Sequence, residues 1–264
     1  MKKLLIELAD KYECREFLVN DPSQFMHRYK KKEEQEVVAF IAANLAFGKR
    51  KQILLHVEKI LSDVQNNAEA HKNIIEWILT GQYKAFFYER LNVNRLEKTS
   101  LQCKSFYRLY NFRSMELFFD TLKSILEKEF LGEYFKAKYE SSGEKYLHLV
   151  IASCFPKECN LISHSKDSAA KKLNMFLRWM VRDNSPVDLG LWTSWYSKKK
   201  LLMPLDVHVM QEATNFGLLE KNANGNFRSA NLKTAIELTQ KMKEFFPEDP
   251  VRGDFALFGL GVNK

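Results

Sequence analysis

Residues that interrupt helices are scarce in this sequence. It contains 10 glycines and 6 prolines among 264 residues. Folds with many β-strands need a turn roughly every 8–12 residues, and glycine and proline supply the backbone conformations of most such turns. The shortage of turn residues therefore predicts an all-α fold, in which a few connections join long helices.

The spacing of apolar residues supports this expectation. Hydrophobic side chains recur at every third or fourth position, which is the period of one helix face, and they predict helices over residues 33–46, 52–66 and 74–131. An irregular connection is expected over 153–168. Inside the third helical stretch, Phe106–Tyr110 is both aromatic and basic. Core packing is the favoured interpretation of this run, and stacking on nucleic-acid bases is the alternative.

Positive charge is in excess. The net charge is +8 and the isoelectric point is near 9.1. Lysine and arginine favour polyanionic partners because their binding to phosphates releases counterions, although a basic surface without a specific partner explains the charge equally well. The fractions of hydrophobic residues (45%) and charged residues (28%) are typical of a globular protein.

Neither an export signal nor a membrane span is expected. Glu7, Asp10 and Lys11 interrupt the first apolar run before a signal-peptide core is complete. No run approaches the roughly 18 apolar residues of a transmembrane helix. The four cysteines lack the spacing of a disulfide framework or a zinc site. We therefore expect a cytoplasmic protein that has no membrane partner.

One turn in the N-terminal half combines an aromatic residue, a glycine and cations. It joins the first two predicted helices and contains Phe47, Gly48, Lys49, Arg50 and Lys51. On a nucleic-acid enzyme, such a turn could clamp a phosphate or stack against a base. On any other protein it would be a basic loop.

A helix in the C-terminal half is predicted to have one basic face. It starts near Ser165–Ser168, where hydroxyl groups could cap it, and runs to about Arg182. Four residues recur at helical spacing opposite its apolar face: Lys171, Asn174, Arg178 and Arg182. Contact with nucleic acid is one interpretation of this face. A solvated surface, with Asp167 pairing Lys171, is the other.

Asp206 is predicted to cap the next helix. It follows Pro204 by two positions, and an amphipathic pattern runs from it to Gly217. A carboxylate at a helix N-terminus is kept ionised by the helix dipole. Such a group can cap a helix, and it can also stabilise positive charge that develops in a reaction.

These segments resemble the helix-hairpin-helix superfamily of DNA glycosylases. Pro204–Val209 is similar to the segment that carries the catalytic aspartate of that superfamily, and Ala170–Phe176 is similar to the lysine-bearing helix of its archaeal 8-oxoguanine glycosylase branch. Ser168–Arg182 and Asp249–Gly261 are similar to a bacterial family of unknown function within the superfamily. The resemblance covers roughly residues 168–262.

The resemblance implies a fold and a reaction. It implies a single helical unit over residues 1–264, built of two lobes with a cleft between them, with the catalytic motifs in 165–262. Lys171 is the implied nucleophile and Asp206 its partner, facing that cleft, in a base-excision repair glycosylase that forms a Schiff base on damaged duplex DNA. Further DNA contacts are assigned to eight residues: Asn174, Arg178, Arg182, His208, Trp179, Trp192, Lys49 and Arg50.

Some features differ from those of the superfamily. The usual glycine-rich hairpin is absent between Lys171 and Asp206, where only Gly190 remains. No cysteine follows Cys159, so no iron–sulfur cluster is expected, and neither a metal nor another cofactor is implied. Trp179 and Trp192 could stack on an extruded base, although a buried core position is the usual one for tryptophan. A non-catalytic nucleic-acid-binding protein on the same fold is therefore the alternative function.

Overall fold

The computed structural model describes residues 1–66, 72–91 and 104–262, and this part of the chain is predominantly helical, as predicted. Two short strands, β1 (Ser105–Tyr107) and β2 (Tyr110–Asn111), form an antiparallel hairpin. The helices are α1 (Lys2–Tyr12), α2 (Lys32–Leu45), α3 (Arg50–Asn66), α4 (Ile74–Leu79), α5 (Gln82–Leu91), α6 (Phe112–Leu126), α7 (Leu131–Ser142), α8 (Leu147–Ser153), α9 (Lys171–Val181), α10 (Val207–Asn215), α11 (Leu232–Met242) and α12 (Gly253–Val262).

The chain divides into two compact units. The terminal unit comprises Met1–Val19 together with Ser165–Lys264, and the middle unit comprises Asn20–His164. The terminal unit therefore contains α1 and α9 to α12, whereas the middle unit contains α2 to α8 and the hairpin. No helix in the described ranges combines the length and the apolar character needed to cross a bilayer.

The middle unit is built around α2. This helix is buried from Glu36 to Leu45 because α3, α4, α7 and the 3-10 turn Pro22–Arg28 pack around it. The ring of Phe40 stacks on Phe118 at 5.5 Å and on Phe155 at 5.6 Å between centroids. A buried carboxylate in this apolar setting needs donors, and the backbone N–H of Gly132 donates to Glu36 at 3.0 Å.

The terminal unit is built around α12, against which α1 and α10 pack. Two glycines of α12 permit this close approach. A side chain at position 259 would overlap the ring of Tyr12 on α1, and a Cβ at position 261 would lie 2.8 Å from the Cβ of His208 on α10. Apart from Asp254, the sequence of α12 is apolar on every side, as expected of a helix enclosed by its neighbours.

Two predicted helices have different bounds in the structure. The stretch 74–131 contains the β-hairpin, which separates α5 from α6, and Phe106–Tyr110 belongs to that hairpin. Arg108 adopts a left-handed conformation at the tip, with φ of 51°, which is incompatible with a continuous helix. The helix predicted from Ser165 starts instead at Lys171, after Ala170 with φ of 42°.

Candidate active site

Lys171 is the first residue of α9, and its backbone position is fixed by a buried side chain. The amide of Asn174 donates to the carbonyl of Ala169 at 2.7 Å, and its backbone N–H donates to the carbonyl of Ala170 at 2.9 Å. The left-handed Ala170 is unfavourable for a residue with a Cβ. Asn174 therefore stabilises the turn that presents Lys171, and it does not contribute to an exposed face.

Asp206 caps α10, as the sequence predicted. One carboxylate oxygen, Oδ1, accepts a hydrogen bond from the backbone N–H of Val209 at 2.9 Å. Leu205 and the three residues before it are buried, and they hold the chain that enters this helix. Since the cap uses Oδ1, the second oxygen, Oδ2, is available for another partner.

That partner is Lys171. Its Nζ lies 3.1 Å from Oδ2 of Asp206, with 34% of the lysine side chain and 14% of the aspartate side chain exposed. The structure thus brings together two residues that are 35 positions apart in the sequence (206 − 171). Partial exposure lets a substrate reach the amine. The geometry allows proton exchange between the pair and electrostatic stabilisation of a nearby cation.

The basic face predicted on α9 is buried except at Lys171. Arg178 and Arg182 are 3% and 2% exposed, so they cannot form the solvated surface or the phosphate-binding face that their spacing suggested. Burial of a guanidinium requires paired carboxylates, and these come from the loop after α9 and from distant parts of the chain. The prediction that Asn174, Arg178 and Arg182 contact DNA is therefore corrected: all three are structural residues of the terminal unit.

Arg178 is one of the two arginines of this buried ion-pair network. Its Nη1 donates to Asp254 on α12, and its Nε donates to Asp188 at 3.3 Å. The guanidinium carbon also lies 4.3 Å from the centroid of the Phe255 ring. These contacts bind α9 to α12 and to the loop that follows α9.

Arg182 is the second arginine of the network. It donates to both carboxylate oxygens of Asp249 at 3.0 and 2.9 Å, to Asp188, and to Glu13 near the N-terminus at 2.8 Å. Glu13 also accepts from Arg252 at 2.8 Å. The buried guanidinium of Arg182 therefore joins the end of α9 to three other segments of the terminal unit, which carry Glu13, Asp188 and Asp249.

Asp254 is one of the acidic residues of this network to which the sequence analysis assigned no role. Burial raises the pKa of its carboxyl group to about 6, the negative charge of Asp206 adds to this effect, and Arg178 and Lys171 oppose it. Its carboxylate is therefore electrostatically coupled to both members of the candidate pair. The only signal in the sequence was its place in the closing segment Asp249–Gly261.

The two tryptophans assigned to base stacking are also buried. Trp179 and Trp192 are fully enclosed, and Trp192 packs edge-on against Phe176 with 5.2 Å between ring centroids. Stacking on an extruded base would need an exposed ring face, so this assignment is corrected in favour of a core position. His208, in contrast, is exposed in the first turn of α10, and its ring lies 6.3 Å from that of Phe258.

Lys49 and Arg50 belong to the middle unit. They lie at the start of α3, where Lys49 is exposed and Arg50 is half-buried. Lys49 accepts, through its carbonyl, the first hydrogen bonds of the helix from Gln52 and Ile53. Their assignment to DNA binding stays a prediction. Within the described ranges, no three histidine, cysteine or acidic side chains are grouped closely enough to hold a metal ion.

Sequence comparison identifies the family. The model of DUF2400, described as a protein of unknown function, matches residues 21–263. The chain belongs to this family. The matched range includes Lys171, Asp206 and Asp254. Neither the curated proteins nor the solved structures gave a match.

Proposed function

We propose that this DUF2400 protein is a DNA base-excision glycosylase of the helix-hairpin-helix superfamily, with abasic-site lyase activity, acting on an oxidised purine such as 8-oxoguanine. The observation that supports this proposal most directly is the 3.1 Å contact between Lys171 Nζ and Asp206 Oδ2. The residues that the resemblance pairs as nucleophile and partner are thus neighbours at the starts of two helices. The lesion class rests on the resemblance alone.

The chemistry needs two groups in this arrangement. The uncharged amine of Lys171 attacks C1′ of the damaged nucleotide, the bond from C1′ to the base breaks, and the base leaves with the bonding electrons and takes up a proton. Opening of the sugar ring then gives a Schiff base to Lys171. Asp206 can accept a proton from the amine and can stabilise positive charge on the sugar. The Schiff base permits β-elimination at the 3′ phosphate.

Borohydride trapping tests this proposal. The protein would be incubated with duplex oligonucleotides carrying 8-oxoguanine or an abasic site, because reduction of a Schiff base gives a stable covalent adduct. We expect an adduct with the wild type and none with Lys171→Gln. Lys172→Gln is the matched control, since it removes the same charge from the neighbouring residue of α9 and should leave the adduct unchanged.

Asp206→Asn separates the chemical role of Asp206 from its role as a cap. Asparagine caps helices about as well as aspartate, so the fold should be retained while the charge is lost. We expect adduct formation to slow by on the order of 100-fold. An adduct that persists in Lys171→Gln, or a wild type that neither forms an adduct nor releases a base, would refute the assignment.

The second candidate is a nucleic-acid-binding protein without catalysis. Because Arg178 and Arg182 are buried, the basic face of α9 cannot serve this candidate as a binding surface. The observation that still favours it is the cluster of lysine and arginine at the start of α3, together with the net charge of +8. Retained DNA binding without any adduct would support this candidate.

A further inference from the structure

Two segments of the middle unit carry positive charge and no negative charge. No acidic residue occurs between Glu36 and Glu58, and none occurs between Glu97 and Glu116. Mixed charges are the rule on protein surfaces that serve only solubility. In the described part of these segments the cations are Lys49, Arg50, Lys51, Lys104, Arg108 and Arg113.

The fold brings these two segments into contact. The hydroxyl of Tyr107 in β1 donates to the carbonyl of Phe47 at 2.7 Å. Arg108, at the hairpin tip, places its guanidinium carbon 5.3 Å from the centroid of the Phe47 ring. An added Cβ at Gly48 would lie 2.7 Å from Cδ of Arg108. Because Gly48 has no side chain, the side chain of Arg108 fits beside it. Glycine also readily adopts the φ of 103° found at this position.

Apolar side chains are exposed between these cations. Leu109 at the hairpin tip is 69% exposed, and Phe47 is 41% exposed. Exposure of a leucine forfeits about 2 kcal/mol relative to full burial, although the backbone at the hairpin tip is held by side-chain hydrogen bonds. The side-chain amide of Asn160 donates to the carbonyl of Leu109 at 2.9 Å, and the hydroxyl of Ser105 donates to the carbonyl of Arg108 at 3.1 Å.

Five exposed residues of these two segments are here called the hairpin ridge: Phe47, Lys49, Lys104, Arg108 and Leu109. We propose that the hairpin ridge binds the DNA backbone, with the cations on phosphates and Leu109 and Phe47 against the sugars and base edges. A ridge of cations interspersed with exposed apolar groups fits a polyanion that also offers apolar faces. The inference rests on the proposed function, which makes DNA the substrate, and it adds a binding surface that contains neither Lys171 nor Asp206.

Binding to undamaged duplex DNA tests the ridge separately from catalysis. Fluorescence anisotropy of a labelled duplex, measured over a range of salt concentrations, would compare the wild type with Lys49→Gln/Arg108→Gln. The slope of log affinity against log salt should fall by about 0.9 for each lost phosphate contact. We expect this double variant to lose at least tenfold in affinity at the lowest salt concentration.

Leu109→Ser tests the apolar part of the ridge. It should weaken binding roughly fivefold through lost apolar contact, without changing the salt slope. Two controls in the same unit are matched to these variants. Arg113→Gln removes a nearby cation that is paired with Glu116 at 2.8 Å, and Leu55→Ser removes a leucine that is 43% exposed on α3. Both should bind within twofold of the wild type.

Three results would overturn the inference. One is a wild type that does not bind duplex DNA, and another is a set of ridge variants that bind as the controls do. The third is a loss of affinity in Lys49→Gln/Arg108→Gln with no effect of Leu109→Ser, because the binding would then depend on positive charge alone and not on the ridge. Unchanged thermal unfolding of each variant establishes that the fold is intact. Lys171→Gln should bind undamaged DNA normally, so failure of the proposed reaction and failure of the ridge are distinguishable.

Discussion

Replacement of Arg182 by methionine tests whether the buried ion-pair network stabilises the terminal unit. Methionine retains most of the aliphatic volume, so the cavity contribution is small and the change is mainly electrostatic. The substitution removes the guanidinium that pairs with Asp188, Asp249 and Glu13. Loss of one partner from a buried ion pair costs roughly 3–5 kcal/mol, because the remaining charge is left without compensation.

The contacts of each carboxylate narrow this range. Asp188 keeps Arg178 as a partner, and Glu13 keeps Arg252. Asp249 has a side chain that is 17% exposed, so its carboxylate can gain some hydration. The loss should therefore lie in the lower half of the range, about 3–4 kcal/mol at neutral pH. It should shrink in acid, where protonation of the carboxylates removes the uncompensated charge.

Urea unfolding followed by tryptophan fluorescence suits this test. Three of the four tryptophans, Trp179, Trp192 and Trp195, lie in the terminal unit with Arg182. Lys199→Met is the control, because Lys199 pairs with Glu248 at 2.7 Å in the same unit, but both side chains are exposed. Exposed pairs contribute no more than about 1 kcal/mol. A loss below that value in Arg182→Met, or one that does not diminish in acid, would refute the reasoning.

Three further variants have expected effects. The folded-state pKa of Asp254 is raised to about 6. The stabilising contribution of Asp254 is therefore full below its unfolded-state pKa, and it is lost as pH rises from that pKa through 6. The free energy of unfolding of the wild type minus that of Asp254→Asn should fall by about 1.4 kcal/mol per pH unit over this window, and a flat difference would contradict this. Burial lowers the pKa of His148 to about 4, so its contribution is present above the unfolded value near 6.5 and is lost as pH falls toward 4. Thermal unfolding should show that the wild type loses more stability in acid than His148→Gln does, and equal losses would be inconsistent with a buried neutral imidazole. Gly259→Ala should lower stability by about 1–3 kcal/mol through overlap with Tyr12, whereas an unchanged melting temperature would show that α1 can shift.

Helix content and one cap could be read from the sequence. Shortage of turn residues and helical spacing predicted the helical chain, and the proline before Asp206 placed the cap where the structure has it. Helix bounds were less predictable. The hairpin at residues 105–111 depends on the left-handed Arg108, whose conformation is stabilised by contacts with Gly48 and Phe47. These contacts lie about 60 residues away in sequence, and no local pattern encodes them.

The sequence by itself determined which residues share a helix face, because helical periodicity is a local property. It therefore placed Lys171, Asn174, Arg178 and Arg182 on one side of α9. Only the tertiary structure decided which of them reach solvent. Arg178 and Arg182 are buried because Glu13, Asp188, Asp249 and Asp254 converge on them, and compensation of a buried charge depends on distance in space rather than distance along the chain. Lys171, the first residue of the same helix, remains partly exposed and pairs with Asp206.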